Sequence, residues 1–387
     1  MTDKKTAALT PSAPTDDGQL LKKYMGIVSK KEEKSNPNST KTADELQEYL
    51  KKLTRMQDPN YLHTISMEEL FDTVYEEKPA IIEGFLYAGA YLFAGAPKVG
   101  KSFFMSQLAY HVSTGQPLWE QKVRQGTVLY LALEDDYKRL QNRLYRMFGV
   151  ETTQELHFAI GAKQLGLGLE EQITKFIQEH KETRLVIIDT LQKVRQIEKE
   201  SCSYAMDYAM IGILKGLADR HGICILIVHH TRKDESVSGQ RFSRISGTNG
   251  LFGAADGAFL MEAKVQERHA VTLEVTGRDQ PERKLHLKQD IEHLVWQLCE
   301  EETDLWKEPP NPLLEKVASI LTEERPIWRG TATELVTQLE LDMKPNALSM
   351  MLNVKSSVLL QEYHIQYQNT RNHAGRYIEL KLQPAQA

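Results

Sequence analysis

The residues best suited to chemistry begin at position 95. "GAPKVGKS" sets Gly95, Gly100, Lys101 and Ser102 in the spacing G-x-x-x-x-G-K-[ST], the requirement for a loop that wraps phosphate groups. Glycines let the backbone curl so that successive N–H groups converge on phosphate oxygens. The lysine reaches the β and γ phosphates, and the serine hydroxyl takes a place on Mg²⁺. Gly95, Ala96, Pro97, Lys98, Val99, Gly100, Lys101, Ser102 and Phe103 are therefore expected to hold ATP, with Mg²⁺ beside it. The flanks agree: "AYLFA" is a short buried-strand pattern, and "SFFMSQLAYHVS" has helical spacing at Phe103, Leu108 and Val112. Strand, loop and helix N-terminus follow in the order such a loop needs.

Carboxylates at other strand ends extend this chemistry. Asp189 closes the apolar run "RLVIID", where a carboxylate can hold Mg²⁺ through its water shell. "VLYLALEDD" ends in Glu134, Asp135 and Asp136. The two aspartates suit the start of the helix "DDYKRLQNRLYRMF", where negative charge favours the helix dipole. Glu134 is left as the candidate base that orients the attacking water. "ILIVHHTRK" ends in His229 and His230, which must point to opposite faces of a strand and so make a poor metal pair. His230 is the candidate for sensing the γ-phosphate, a structural histidine being the alternative.

Those strand ends must be held together by a sheet. The runs "YLFAG", "TVLYLAL", "LVIIDT" and "CILIVHH" lack polar alternation, as strands buried on both faces of a parallel sheet do. Helical stretches separate them, so the expected class is α/β over about residues 60–300. "GAFLMEAK", "AVTLEVTG" and "RKLHLKQ" alternate and are expected as antiparallel additions at one edge. Residues 1–40, rich in Lys, Ser, Thr, Pro and Asp, are expected to be disordered. Residues 41–58 are expected to form an amphipathic helix with a capping box at Thr42 and Glu45, packed on its own domain or docked on a neighbouring subunit. Residues 301–312 read as a charged, proline-ended linker. From 313 to 387, three helical stretches and two strand-like runs joined by "NHAG" have the rhythm of a helix-turn-helix with a wing. In that unit DNA contact would fall to Lys344, Lys355, Arg371 and Arg376, protein docking being the alternative.

Composition narrows the class. The chain of 387 residues carries a formal charge of −5, so nucleic-acid binding would need a local basic patch. Its three cysteines, Cys202, Cys224 and Cys299, form no C-x-x-C pair, which argues against zinc and a disulfide framework and suits a reducing cytoplasm. The N-terminus lacks the apolar core of a secretory signal, and no apolar run approaches membrane-spanning length.

"GAPKVGKS", "YLALEDDYKRLQNRL", "LVIIDT" and "LIVHHTRK", in this order, resemble the RecA-like P-loop ATPases of the RepA type, hexameric replicative helicases of plasmids and mobile elements within the AAA-family ATPases. The resemblance covers about residues 70–290 and rests most on "LEDD" and "HHTRK". It implies Glu134 as catalytic base, a sensor at the His229–His230 tip, and ATP sites completed by an arginine from the next subunit. Arg278 stands where that finger falls, although Thr276 occupies the place of the lysine that relatives often carry; Arg283 and Lys284 follow closely. Two basic loops, one with Lys193 and Arg195 and the other with Arg232, Lys233, Arg241 and Arg244, would grip single-stranded DNA through phosphate contacts. A homo-hexamer and a replication initiator or primase are the implied partners. A nucleotide-switched DNA-binding regulator or loader is the rival reading, and a strand-exchange recombinase a weaker third.

Overall fold

The structure, a computed structural model, describes residues 60–62, 64–75, 78–195, 204–231, 249–264, 267–278, 282–303, 311–372 and 375–383. The expected segments 1–40 and 41–58 lie outside the described residues, as do Arg232, Lys233, Arg241 and Arg244. The chain divides into two compact units. The first described helix, α1 (Met67–Asp72), belongs to the second of them.

The first unit, residues 78–305, is built on a nine-stranded sheet. Along the chain come β1 (Ala80–Ile82), β2 (Leu86–Tyr87), β3 (Gly89–Gly95), α2 (Lys101–Thr114), β4 (Thr127–Ala132), α3 (Tyr137–Phe148), β5 (Leu156–Ala159), α4 (Leu169–Glu179), β6 (Thr183–Asp189), α5 (Leu191–Val194), α6 (Tyr204–His221) and β7 (Cys224–His230). They are followed by α7 (Asn249–Ala254), β8 (Gly257–Ala263), β9 (Ala270–Gly277), β10 (Arg283–Gln289) and β11 (Trp296–Thr303). The sheet order is β11-β10-β9-β8-β3-β7-β6-β4-β5, parallel from β8 through β5 and antiparallel from β8 outward to β11. "GAFLMEAK" thus has a double character: β8 runs parallel to β3 on one side and antiparallel to β9 on the other.

Strand periodicity explains why both faces are apolar. Phe93, Val128, Tyr130 and Ile187 look to one face and pack with Phe104, Met105 and Leu108 of α2. Their neighbours Leu92, Leu129, Leu131, Val186 and Ile188 look to the other and pack with Ile173 of α4, Ile211 of α6 and Leu251 of α7. Each such fully buried side chain stabilises the fold by roughly 1.5–3 kcal/mol relative to exposure. The linker expected over 301–312 begins too early, because Glu301 and Glu302 belong to β11. On that strand their charges are met by β10, with Arg283 Nε 3.1 Å from Glu301 and Lys284 Nζ 3.0 Å from Glu302.

The second unit contains α1 together with α8 (Pro312–Ser319), β12 (Ile327–Thr331), α9 (Ala332–Gln338), α10 (Pro345–Val354), α11 (Ser356–Tyr363), β13 (Ile365–Asn372) and β14 (Gly375–Leu382). Its antiparallel sheet has the order β12-β14-β13, and its core gathers Leu314, Leu335, Leu348, Leu352, Ile365 and Leu380. Buried Asn353 ties the pieces together. Its Nδ2 donates to Phe71 O of α1 at 2.8 Å, and its Oδ1 accepts from Tyr367 OH at 2.8 Å and Asn369 Nδ2 at 3.0 Å. The boundary expected near residue 60 therefore moves to 78, since α1 packs with the C-terminal elements. Among the described residues no helix is long and apolar enough to cross a membrane.

Candidate active site

Register brings the chemistry-bearing residues to one end of the parallel sheet. Gly95 at the tip of β3 pairs with His230 at the tip of β7, and Ala132 of β4 pairs with Asp189 of β6. Tyr130 and Asp189 stand on the α2 face, and by alternation so does His230 while His229 turns away. His229 is buried.

The loop between β3 and α2 is shaped by its glycines. Gly100 has φ +104°, a conformation other residues rarely adopt, and it starts α2. The first helical turn leaves backbone N–H groups without intrahelical acceptors, a natural anion site. Lys101 folds back over the loop: its ammonium donates to Gly95 O at 2.7 Å and Ala96 O at 2.9 Å, and lies 3.2 Å from His230 Nδ1. Burial lowers the lysine pKa to about 8, against the opposing pull of Asp189 and Glu134. Burial, and then the nearby ammonium, lower that of His230, so a neutral imidazole accepts from the lysine.

Asp189 is 6% exposed, and its Oδ2 accepts from Ser102 Oγ at 2.9 Å and from Tyr130 OH at 2.9 Å. Burial raises its pKa by more than these hydroxyls and Lys101 lower it. A buried carboxylate short of positive charge, with a serine hydroxyl on the same oxygen, is a donor set that suits a hard divalent cation. Glu134 is exposed at the neighbouring tip, where its Oε1 accepts from Thr190 Oγ1 at 3.1 Å. Asp136 caps α3, accepting from Arg139 N at 2.8 Å, and Asp135 pairs with Arg143 at 2.8 Å. The separation of Glu134 from its two acidic neighbours follows from these contacts.

The other candidates are distributed differently. Arg278 lies at the opposite end of the sheet, because Gly277 pairs with Gly257 and Gly257 with Tyr91. Its guanidinium is exposed and donates to Gly253 O at 2.9 Å. Lys193 is exposed, but Arg195 is not available as a DNA contact: it is ion-paired with Asp207, which is fully buried. Drawing Arg195 away would take an ion pair from a buried carboxylate, a costly change. Tyr130 is the site residue that sequence reasoning missed. It reads as an apolar strand residue, and only its alternation with Asp189 on the adjacent strand could have pointed to it.

Residues 58–236 match the family model described as an AAA domain. No curated protein matches the chain. Among solved structures, one described as an "ATPase Domain" is 15% identical, with 68% of this chain and 100% of that chain covered and a TM-score of 0.46. Another, "The Structure Of A DnaB-Like Replicative Helicase And Its Interactions With Primase", is 14% identical, with 73% and 76% covered and a TM-score of 0.45. The 78–305 unit is an α/β core with a glycine-rich loop at the tip of an interior parallel strand and an acidic residue at the tip of another.

Proposed function

We propose that this protein hydrolyses ATP to drive a DNA helicase or translocase in the replication of a plasmid, phage or integrated element. The observation that carries this reading is the convergence of Lys101, Ser102, Asp189, Glu134 and His230 at one end of the sheet. Residues Gly95–Phe103 wrap the phosphates, and Lys101 exchanges its carbonyl partners for β and γ phosphate oxygens. Ser102 and Asp189 would hold Mg²⁺, which when bound neutralises phosphate charge. Glu134 orients a water and accepts its proton as the oxygen attacks the γ-phosphorus, while the bond from that phosphorus to the β–γ bridging oxygen breaks and ADP leaves with inorganic phosphate as the other product. His230, touching Lys101, reads whether the γ-phosphate is present and passes that state to the basic chain that follows. Arg278 faces away from its own phosphate loop, which supports a role in the neighbouring subunit's site within a hexameric ring. Single-stranded DNA would be held by Lys193 and the Arg232–Arg244 segment. The helix–strand–helix–helix–helix–hairpin order of residues 312–382 supports a winged helix there, with one helix beyond the usual set.

Lys101→Ala should abolish hydrolysis while leaving the fold intact, and unchanged turnover would remove the site. Unwinding of a forked duplex with ATP and Mg²⁺ then separates a helicase from the rival regulator or loader. ATP hydrolysis without strand separation would favour the rival.

A further inference from the structure

Gly100 of the phosphate loop is covered by a residue far away in sequence. A Cβ built on Gly100 would stand 2.5 Å from Cζ2 of Trp296, 3.4 Å from its Cε2 and 3.5 Å from its Cη2. The indole of the first residue of β11 thus presses its benzo edge against the loop backbone, in the space a side chain would need. Trp296 is 2% exposed, so this contact is dry.

The strand end is fixed on α2 by a two-way clasp. Gln107 Nε2 donates to Trp296 O at 2.9 Å, and Trp296 N donates to Gln107 Oε1 at 2.7 Å. The side-chain amide therefore occupies the place of a neighbouring strand. Trp119 Nε1 donates to the same carbonyl at 2.9 Å, and its ring stacks on Phe104 with centroids 6.1 Å apart. Gln107 stands seven positions beyond Gly100, two helical turns on, so both lie on one stripe of α2. The indole Nε1 of Trp296 is buried and has no acceptor among the described residues. Hydrogen bonding by the ring does not explain the tryptophan; its reach and shape do.

We infer that Trp296 is a positioning residue for the phosphate loop: clasped to α2 by Gln107, it holds the Gly100 backbone so that the following N–H groups keep their aim at phosphate. This rests on the proposed nucleotide site and adds a supporting residue from the antiparallel edge of the sheet. A loop whose support is missing is present but loose. The loss falls on binding, because no group that handles the attacking water is touched.

The test is equilibrium binding of a fluorescent ADP analogue, together with steady-state ATP hydrolysis, for the parent, Trp296→Phe and Trp296→Ala. Trp296→Ala should raise the nucleotide Kd roughly tenfold or more and leave kcat at saturating ATP within about twofold of the parent, since no catalytic group moves. Trp296→Phe, too short to reach Gly100, should fall between. Adding ADP should change tryptophan emission in the parent and leave it largely unchanged in Trp296→Phe, a readout available even if Trp296→Ala fails to fold. An undiminished emission change in Trp296→Phe, or a parental Kd in a folded variant, overturns the inference. Failure of the parent itself to bind ADP would instead remove the nucleotide site.

Discussion

Asp189 and Asp256 are the same residue type, each 6% exposed on one sheet, and their carboxyls are displaced in opposite directions. Asp256 immediately precedes β8, at the end of the sheet away from the phosphate loop. Burial alone would raise its pKa. An ion pair with Lys215, the Ala90 N–H at 3.0 Å and Lys78 at 3.5 Å outweigh that and hold it low. Even the adjoining backbone is fitted to it, since a Cβ on Gly89 (φ +141°) would stand 2.7 Å from its Oδ2. Asp189 is met by two neutral hydroxyls and stays raised. The difference separates a saturated, structural charge from one that leaves room for a cation.

The largest expected effects come from exchanging the two. Asp189→Asn should cut ATP turnover at least about a hundredfold, the several kcal/mol that charge stabilisation by a bound metal supplies, while thermal stability holds or rises. Asp256→Asn should do the reverse, removing one partner of a buried ion pair at a cost of about 3–5 kcal/mol, with turnover per folded molecule near the parent's. Melting curves and initial rates on both variants decide it, and a parental Tm for Asp256→Asn would dissolve the contrast. The pH dependence sharpens it. The depressed carboxyl of Asp256 contributes stability above the unfolded-state pKa, lost as pH falls through its folded pKa. The raised Asp189 carboxyl has the opposite sign, its burial weighing least where it is protonated.

A smaller effect is expected from Tyr130→Phe, which removes a single hydroxyl from Asp189. A hydrogen bond to a charged group is worth about 1.5–3 kcal/mol, so the Mn²⁺ concentration for half-maximal promotion of ADP binding should shift roughly tenfold or more. Titration followed by the metal's own EPR signal measures it without reference to hydrolysis. An unshifted midpoint would mean that Ser102 alone orients the carboxylate.

The smallest effect concerns Lys101, whose pKa is lowered to about 8. Between that value and the unfolded lysine's pKa the unfolded chain binds more protons, so stability rises with pH across this window. Lys101→Met should therefore gain stability over the parent at pH 7, an advantage that shrinks toward pH 10. A constant offset across that range would show that the lysine is not held against its charge.

What could be read in the sequence divides along the same lines. The phosphate loop is local: Gly95 to Ser102 carry their spacing within one turn, and the strand tips at Glu134, Asp189 and His230 are marked by abrupt ends of apolar runs. Tyr130 and Trp296 carry no such mark, because each acts across a register or a packing contact that no window of sequence contains. Arg195 stands in a basic stretch, yet its partner is a buried aspartate from the next helix. The strand β11 is disguised by its acids, which look like a linker until Arg283 and Lys284 are set beside them.

The hydrogen bond from Asn353 to Phe71 joins residues 282 positions apart. Helix α1 leaves the ribosome before the whole P-loop core, and the elements it packs with emerge after it. At about 5–20 residues per second, roughly 15–60 seconds of synthesis separate the two. Throughout that interval α1 lacks the partners it has among the described residues of its own unit, and with six residues it is too short to persist alone. The packing of α1 is thus completed only after residues 312–382 have emerged, by which time the core that interrupts the second unit has had time to fold.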